Sequence, residues 1–261
     1  MLQNSILIKI VFIAIFSIFF ISCQTSKPLP SGIQTGYEAV NPASIIAVPL
    51  FILPDPSKTI SIDLATISSE NIIALLQKKV IDSFDGQPNI NGYPFEVVQK
   101  ALLKSNSNVL LKLNETMKNV ANRFSSRDSS VRTLITSSCL SRRNFLEFYS
   151  YCLATEPTWI DNLNTLTARV MNADTALILV INQIESHFVD GIYSITGGFS
   201  VLLVDTNNAK LVWGKDGNLT LQNPPEKKYF PYWSDLINGV FTNNFWDDFP
   251  GRVVDKKIKK K

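Results

Sequence analysis

Residues 176–181 read ALILVI, and two more apolar segments follow, IYSITGGFSVLLVD at 192–205 and AKLVWG at 209–214. A continuous apolar run as short as the first predicts a strand buried on both faces. An Asp-Gly pair at 190–191 and an Asn-Asn pair at 207–208 separate the three segments, and both pairs are typical of tight turns. The region therefore predicts a three-stranded antiparallel meander.

Particular side chains of this meander have predicted structural roles. Because side chains alternate along a strand, Leu211 and Trp213 are expected on one face. The Trp213 ring is expected to fill the core between sheet and helix, and Asp205 to accept hydrogen bonds from the amides of the following turn. Gly197 and Gly198 lack the following helix that a dinucleotide site requires, so they indicate a bulge or close packing.

Strands and helices are also predicted before and after the meander. Residues 44–53 form a short apolar run that predicts a buried first strand. Apolar side chains then recur every four residues across 72–84, with a serine pair at 68–69 that can cap this helix and Gly86 to end it.

Phe95-Glu96-Val97-Val98 predicts a short strand, and residues 108–120 and 161–171 predict helices. A last amphipathic helix is expected to end at Pro250 and to turn four residues inward, Ile237, Val240, Phe241 and Phe245.

Together these elements predict an α/β fold: a mixed sheet with a carboxyl-side antiparallel meander, packed by amphipathic helices. We expect a single domain over 44–250, with a helical insertion near 110–158 that includes a Ser-rich stretch. A basic tail, 251–261, follows the domain.

The amino terminus has the features of an export signal. Lys9 precedes an apolar run at 10–21, which is too short to cross a bilayer but fits the apolar core of a signal peptide. Ser22 followed by Cys23 resembles the lipobox of bacterial lipoproteins. The resemblance implies that residues 1–22 are removed and that Cys23 carries several acyl chains, enough for stable anchoring. An ordinary signal peptide cut elsewhere, or an uncleaved apolar helix, is the alternative.

The residues after this cysteine indicate where in the cell envelope the protein is expected to lie. Lipoproteins retained at the inner membrane commonly have Asp after the lipidated cysteine, so Gln24 favours the outer membrane, facing the periplasm. Residues 23–43 contain several prolines and glycines and few apolar residues, which predicts an extended lipidated tether.

The charge distribution argues against nucleic acid as a partner. The chain has 25 Lys and Arg against 22 Asp and Glu, for a net charge of +3, and five lysines lie within residues 256–261. A nucleic-acid-binding face should show clustered Lys and Arg over a folded surface, whereas this cluster is confined to the tail. The tail is expected to be solvated, with contact to anionic headgroups or cell wall as the alternative.

Cys139 and Cys152 remain if Cys23 is lipidated, an even number in a compartment that permits disulfides. Apolar residues between them fall at helical spacing, and a helix of that length would separate the two by about 20 Å. A disulfide needs Cα atoms within about 7 Å. A continuous helix therefore forbids the bond, and a bond requires the segment to fold back; both alternatives stay open.

Three strings resemble a recurring pattern, ADTALILV at 173–180, VLLVDT at 201–206 and AKLVW at 209–213. They are similar to periplasmic lipoproteins related to the curli-assembly lipoprotein CsgG and the amino-terminal domain of TolB, and SIIAVP at 44–49 resembles the first strand of that family. The resemblance is closest to transport-auxiliary lipoproteins of uncharacterised function. It implies a compact α/β sandwich that serves in envelope assembly or transport, and it supplies no catalytic residues.

Catalytic and metal-binding patterns are sparse. His187 is the single histidine, so any Ser-His-Asp or Cys-His site would depend on it, and its place near a turn predicts an exposed strand-end side chain. The sequence has no phosphate loop, nucleophile elbow, two-cysteine zinc pair or HExxH motif. The adjacent Asp247 and Asp248 would point about 100° apart on a helix and indicate a solvated helix end. We predict no catalytic residue, no metal and no cofactor.

The sequence favours a non-enzymatic lipoprotein, anchored in the outer membrane and facing the periplasm, that acts as an accessory or scaffold in envelope assembly or transport. Its partner would be an envelope protein that the sequence does not name. One alternative is an oligomeric secretion-channel component of the curli-assembly type, which requires long strands with a lipid-facing apolar side. A cell-wall hydrolase with a diffuse site is the other, and loss of its turnover on replacement of His187 would support it.

Overall fold

The computed structural model describes residues 32–33, 41–52, 69–104, 108–125, 156–169, 172–223 and 231–252. Over these residues the chain has the predicted α/β fold, with one mixed sheet. Its strands are β1 (Gly32–Ile33), β2 (Ile45–Ile52), β3 (Gly92–Tyr93), β4 (Thr175–Val189), β5 (Ile192–Asp205) and β6 (Leu211–Gln222). Its helices are α1 (Ser69–Asp82), α2 (Phe95–Lys104), α3 (Val109–Ser125), α4 (Pro157–Arg169) and α5 (Trp233–Val240), and a 3-10 turn at Asn243–Trp246 follows α5.

The sheet has the strand order β1-β6-β5-β4-β2-β3. β4, β5 and β6 are antiparallel neighbours and form the predicted meander, while β2 pairs in parallel with β4 and β3. The turn between β4 and β5 lies at the predicted pair, where Asp190 and Gly191 have φ of 52° and 80°. Two positive φ values are what a type I′ hairpin turn requires.

Helices pack on both faces of the sheet, and β4 contributes to the core on each side. Ile178 and Val180 lie in the core formed with α2, α3 and α4, whereas Leu177 and Leu179 lie in the core formed with α1 and α5. Residues 176–181 are at most 3% exposed, which confirms the prediction of a strand buried on both faces. Each buried aliphatic side chain of this kind contributes roughly 1.5–3 kcal/mol to stability.

The helices predicted at 72–84, 108–120 and 161–171 are confirmed, with shifted ends. α1 ends at Asp82, and the buried Phe84 lies in the turn that follows. α4 begins at Pro157, four residues before the predicted start, which brings Trp159 into the core as a fully buried side chain.

The strand predicted at 95–98 is wrong, because these residues open helix α2. The backbone amides of Val97 and Val98 donate to the Pro94 carbonyl oxygen at 3.0 and 3.2 Å. Val98 and Leu102, four residues apart, both enter the core. A window of four residues cannot display this helical period, and its valines favour a strand when taken alone. The strand here is β3, which comes just before and lies beside β2.

β6 is longer than the strand predicted at 209–214 and is irregular at its start. It runs to Gln222, and its register with β5 shifts at Val212. An extra residue in a strand reverses the alternation of side chains. Leu211 therefore lies in the core with α2, α3 and α4, and Trp213 lies in the core with α1 and α5, so the prediction that they share a face is wrong.

The last predicted helix divides into α5 and the 3-10 turn. Phe241, just after Val240, leaves the helical conformation with a ψ of 58°. Phe241 and Phe245 are still buried as predicted. The break in the helix lets three rings surround Trp213 at centroid distances of 4.8–6.2 Å, those of Phe245, Trp246 and Phe249. Trp213 thus fills the core between sheet and helix, as predicted.

Part of the predicted tether belongs to the sheet. Gly32 and Ile33 form β1 and pair with Gly214 and Trp213 of β6, so this part of 23–43 is not a free extension. The predictions for Cys23, Cys139, Cys152 and the signal at 1–22 lie outside the described residues, as does residue 253 onwards in the basic tail.

Asp174 joins the beginnings of β2 and β4. Its carboxylate accepts hydrogen bonds from the backbone amides of Ala43 and Ser44 at 2.7 and 3.0 Å, and its own amide donates to the Ser44 hydroxyl at 3.0 Å. The Thr175 hydroxyl donates to the Ser44 carbonyl oxygen at 2.7 Å. These bonds align two parallel strands that are 130 residues apart in the sequence.

Replacing Asp174 with Ala should lower the free energy of unfolding by about 1–3 kcal/mol, because the partly buried backbone amide of Ser44 and the exposed amide of Ala43 both lose their acceptor. Asp174→Asn keeps one acceptor oxygen and should lose less. Urea unfolding followed by circular dichroism measures both variants. An Ala variant as stable as the wild-type chain would contradict the role assigned to this carboxylate.

Candidate functional site: an extended three-stranded arm

The antiparallel part of the sheet extends beyond its parallel strands. β2 pairs with β4 only as far as Ile181, where the register of β4 with β5 also shifts. β4, β5 and β6 continue past this point, and we call residues 183–189, 192–200 and 215–222 the arm. Within the described ranges, no further strand pairs with the outer edges of the arm.

The arm ends in an apolar surface around the β4–β5 turn. We call its four residues the aromatic tip: Phe188, Val189, Ile192 and Tyr193. The Phe188 and Tyr193 rings stack across the strands with centroids 4.2 Å apart, a contact that holds the two strand ends together. Even so, Phe188 is 54% exposed and Val189 is 62% exposed.

Helix α5 covers one face of the arm. The residues of β4 and β5 buried on this face are Ile184, Ile195 and Phe199. A Cβ atom on Gly197 would lie 2.6 Å from Cδ2 of Leu236, and one on Gly217 would lie 2.5 Å from Cγ1 of Val240. Glycine at these two positions therefore lets α5 approach the sheet, which confirms close packing as the reason for Gly197.

The opposite face of the arm is polar. Opposed residues share a face in antiparallel strands, and the register places ten polar side chains here, which we call the polar face: Gln183, Glu185 and His187 on β4, Ser194, Thr196 and Ser200 on β5, and Asp216, Asn218, Thr220 and Gln222 on β6. The hydroxyls of Thr196 and Thr220 are hydrogen-bonded across the strands at 2.9 Å. Most of this face consists of uncharged hydroxyl and amide groups.

The polar face begins where the apolar core on that side of the sheet ends. The core with α2, α3 and α4 reaches Val180 on β4 and Leu202 on β5. The next residue on this face of β5 is Ser200, which is fully buried and donates a hydrogen bond to Asp216 on β6. Beyond it, Asn218, Thr220 and Gln222 are exposed.

Asp216 lies at the boundary between the core and the polar face. Burial of the carboxyl group raises the pKa of Asp216, and the hydrogen bond from Ser200 opposes part of this rise by favouring the carboxylate. The residue as a whole is exposed, like Asn218 beyond it, so the burial that raises the pKa is local to the carboxyl group on the side of Ser200. The side chain therefore stays protonated to a higher pH than an ordinary aspartate.

The polar residues that were singled out in the sequence lie in different parts of the fold. His187 is exposed near the end of the arm, as predicted, with Nε2 3.3 Å from Oε2 of Glu185. Asp205 lies at the other end of β5 and accepts hydrogen bonds from the Asn207 amide at 2.8 Å and the Asn208 side chain at 2.9 Å, which confirms its role in the turn.

Asp247 and Asp248 converge on one amine, a contact that the sequence interpretation omitted. Nζ of Lys215 lies 3.3 Å from Oδ1 of Asp247 and 3.2 Å from Oδ1 of Asp248. Asp248 also accepts a hydrogen bond from the Trp213 indole at 3.2 Å. The two carboxylates follow a 3-10 turn rather than a long helix, and they attach this turn to the base of the arm.

The polar face could not be recognised from the sequence prediction, because the third strand of the meander was predicted to end at Gly214. The signal lies in residues 218–222, where polar residues alternate with Leu219 and Leu221 with the period of a strand. Leu219 and Leu221 pack toward α5, and the polar residues between them point the other way.

Metal-binding clusters and membrane-spanning helices can be assessed only for the described part of the chain. There, no group of three or more His, Cys, Asp or Glu side chains could hold a metal ion. No helix there is both long enough and apolar enough to cross a membrane.

Comparisons with known proteins do not assign the chain to a family: no family model and no curated protein matches it. Similar solved structures include the lipoprotein GNA1162 from Neisseria meningitidis, 13% identical with a TM-score of 0.38 over 76% of this chain and 94% of that one. They also include a PelC dodecamer from Paraburkholderia phytofirmans, 9% identical with a TM-score of 0.38 over 87% of this chain and 96% of that one. The LpoB C-terminal domain from Escherichia coli is 9% identical with a TM-score of 0.33, over 71% and 88%. Likeness at this level assigns neither family nor function, and the resemblance to CsgG and TolB stays a prediction.

The raised pKa of Asp216 predicts a pH-dependent effect of Asp216→Asn. Below the usual aspartate pKa, Asp216 is protonated in both the folded and the unfolded chain, and its carboxyl group does not lower the free energy of unfolding. As the pH rises, the unfolded chain ionises first, so stability falls until the pH exceeds the raised value in the folded protein. Asn cannot ionise and keeps an acceptor for Ser200. The stability of the variant relative to wild type should therefore increase from acidic to neutral pH.

Thermal unfolding of both proteins across this pH range measures the effect. Ser200→Ala removes the hydrogen bond that favours the carboxylate, and should make the loss of stability with rising pH steeper. A difference between Asp216→Asn and wild type that is constant with pH would contradict the assigned environment of Asp216.

Proposed function

We propose that the chain is a non-enzymatic lipoprotein, held at the outer membrane by acyl chains on Cys23 and facing the periplasm, that serves as an accessory or scaffold in envelope assembly or transport. In this proposal the polar face of the arm is the surface on which an envelope protein binds. The observation that carries the proposal is this polar face itself, which occupies three paired strands beyond the core.

The composition of the polar face supports protein binding. Its exposed groups are mainly hydroxyls and amides that can both donate and accept hydrogen bonds. Interfaces between proteins that also exist separately are about as polar as the rest of a protein surface, and they typically contain about ten direct hydrogen bonds. The strand backbones beneath hold these groups in fixed rows, which limits the entropy lost on binding.

The lipid anchor is supported by the sequence around Cys23. If it is present, the amino-terminal peptide of the membrane-extracted protein should begin at Cys23 and carry acyl chains, which mass spectrometry detects. Cys23→Ser has no thiol to acylate, so the acylated peptide that begins at residue 23 should be absent from this variant. A wild-type peptide with a free Cys23 thiol would overturn the proposed anchor.

The partner surface can be tested by photo-crosslinking in intact cells. A benzophenone amino acid in place of Gln222 on the polar face should give an adduct with a distinct envelope protein. A second change, Thr220→Arg, places a large cation in the middle of the face and should reduce the adduct yield by about tenfold, which corresponds to 1.4 kcal/mol of binding energy. The matched control is benzophenone at Leu111, which is 58% exposed on α3 and should not give this adduct.

Three results would contradict the proposal. The first is the same adduct from both positions, since the label would then report exposure rather than a specific surface. The second is an adduct only with another copy of this chain, which would favour the oligomeric channel component instead. The third is a cell-wall hydrolase activity of the purified protein that is lost in His187→Ala.

A further inference from the structure

The first strand shows from which side the amino-terminal chain reaches the domain. β1 is antiparallel to β6, with Gly32 opposite Gly214 and Ile33 opposite Trp213. β6 runs from Gly214 through residues 215–222 toward the end of the arm. Because β1 runs the opposite way, the chain enters Gly32 from the side of the sheet on which the arm lies.

The number of residues before β1 limits how far an anchor can be from the sheet. Nine residue steps separate Cys23 from Gly32 in the sequence, and a fully extended chain spans at most about 3.5 Å per residue. Cys23 is therefore within about 30 Å of Gly32. The arm has a similar length, since the eight steps from Gly214 to Gln222 rise by about 3.4 Å each, and Gln222 pairs with Ser194, close to the turn.

The end of the arm has the chemistry of a membrane-interface contact. Phe188 and Val189 are more than half exposed, and Tyr193 combines an apolar ring with a hydroxyl. Tyr232, at the start of α5, is 59% exposed. Because Leu236 meets Gly197 while Val240 meets Gly217, α5 begins on the tip side, and Tyr232 lies toward the same end. Amphipathic aromatic rings are enriched where a protein meets the headgroup level of a bilayer.

We infer that the aromatic tip contacts the lipid surface that holds the acyl chains of Cys23. The inference rests on the proposed lipid anchor, and it adds an orientation: the arm stands on the membrane and the rest of the domain lies above it. Asp190, in the turn, stays at the hydrated headgroup level beside the apolar side chains. The short connection to Cys23 keeps the tip near the bilayer, so a small apolar contact is sufficient.

The test uses the full acylated chain, extracted from membranes and reconstituted into vesicles of phosphatidylethanolamine and phosphatidylglycerol. A benzophenone amino acid replaces Val189 in the tip or, as the matched control, Leu103 on α2. Leu103 is 69% exposed, more than Val189, so exposure alone would label it at least as strongly. After irradiation, lipid adducts are quantified by mass spectrometry, and the same spectra report the acylation of Cys23.

Severalfold more lipid adduct at Val189 than at Leu103 is the expected result. Acylated Cys23 with equal or no lipid labelling at the two positions would overturn the orientation and leave the anchor intact. Adducts at Val189 only with a second copy of the chain, or only with a co-purified protein, would also overturn it. A free Cys23 thiol would overturn the anchor and the orientation together.

A longer connection provides a second measurement on a protein with an unchanged domain. A Gly-Ser insert after Gln24 whose average length is several times that of the arm lowers the effective concentration of the tip at the bilayer, because this concentration falls once the linker is much longer than the distance it spans. Lipid labelling at Val189 should then fall severalfold while Cys23 stays acylated and the thermal unfolding temperature is unchanged. Unchanged labelling in the insert variant would contradict the argument from chain length.

Discussion

The pairing of β4 with β5 is the interaction on which the rest of the structure depends. It joins fourteen residue pairs, from Thr175–Asp205 to Val189–Ile192. Over the first part of the pairing, helices pack on both faces of the sheet, and both strands are apolar apart from Ser200 and the first pair, Thr175–Asp205. Past Ile181 the parallel strand β2 ends, the core on one face ends with it, and polar residues alternate with apolar ones. One continuous hairpin therefore supplies the centre of the domain and the arm that extends from it.

The arm stays attached to the domain because the carboxyl-terminal segment packs along it. A two-stranded hairpin alone is marginally stable in water, and a third strand or a packed helix is needed for independent stability. Here β6 provides the third strand, and α5 covers the apolar face from Ile195 to Phe199. The segment after α5 is held at the base of the arm by two sets of contacts. Its aromatic rings pack around Trp213, and Asp247 and Asp248 contact Lys215. Loss of this packing would expose the apolar face of the arm along its length.

Much of the fold could be predicted from the sequence because its central strands have strong and redundant signals. The run at 176–181, the Asp190-Gly191 turn and the limits of β5 are as predicted. The errors arose where a local pattern was too short or was interrupted. Residues 95–98 show fewer than two helical turns, and Val212 shifts the register of β6, an irregularity that no pattern of apolar residues reveals. The polar face was missed for a related reason: membership in it follows from register across three strands, and the sequence alone does not supply that register.

The direction of β1 also constrains how a partner could approach. If the arm stands on the membrane, its strands run along the membrane normal, and the polar face and the face covered by α5 both point sideways, parallel to the bilayer. A protein bound to the polar face would then lie beside the arm, near the lipid surface, rather than far out in the periplasm. Integral or lipid-anchored proteins satisfy this geometry more easily than soluble ones, because they are already confined to the same layer. The orientation thus narrows the class of partner, since binding at the polar face and anchoring through Cys23 would both favour a protein that is itself held at the membrane.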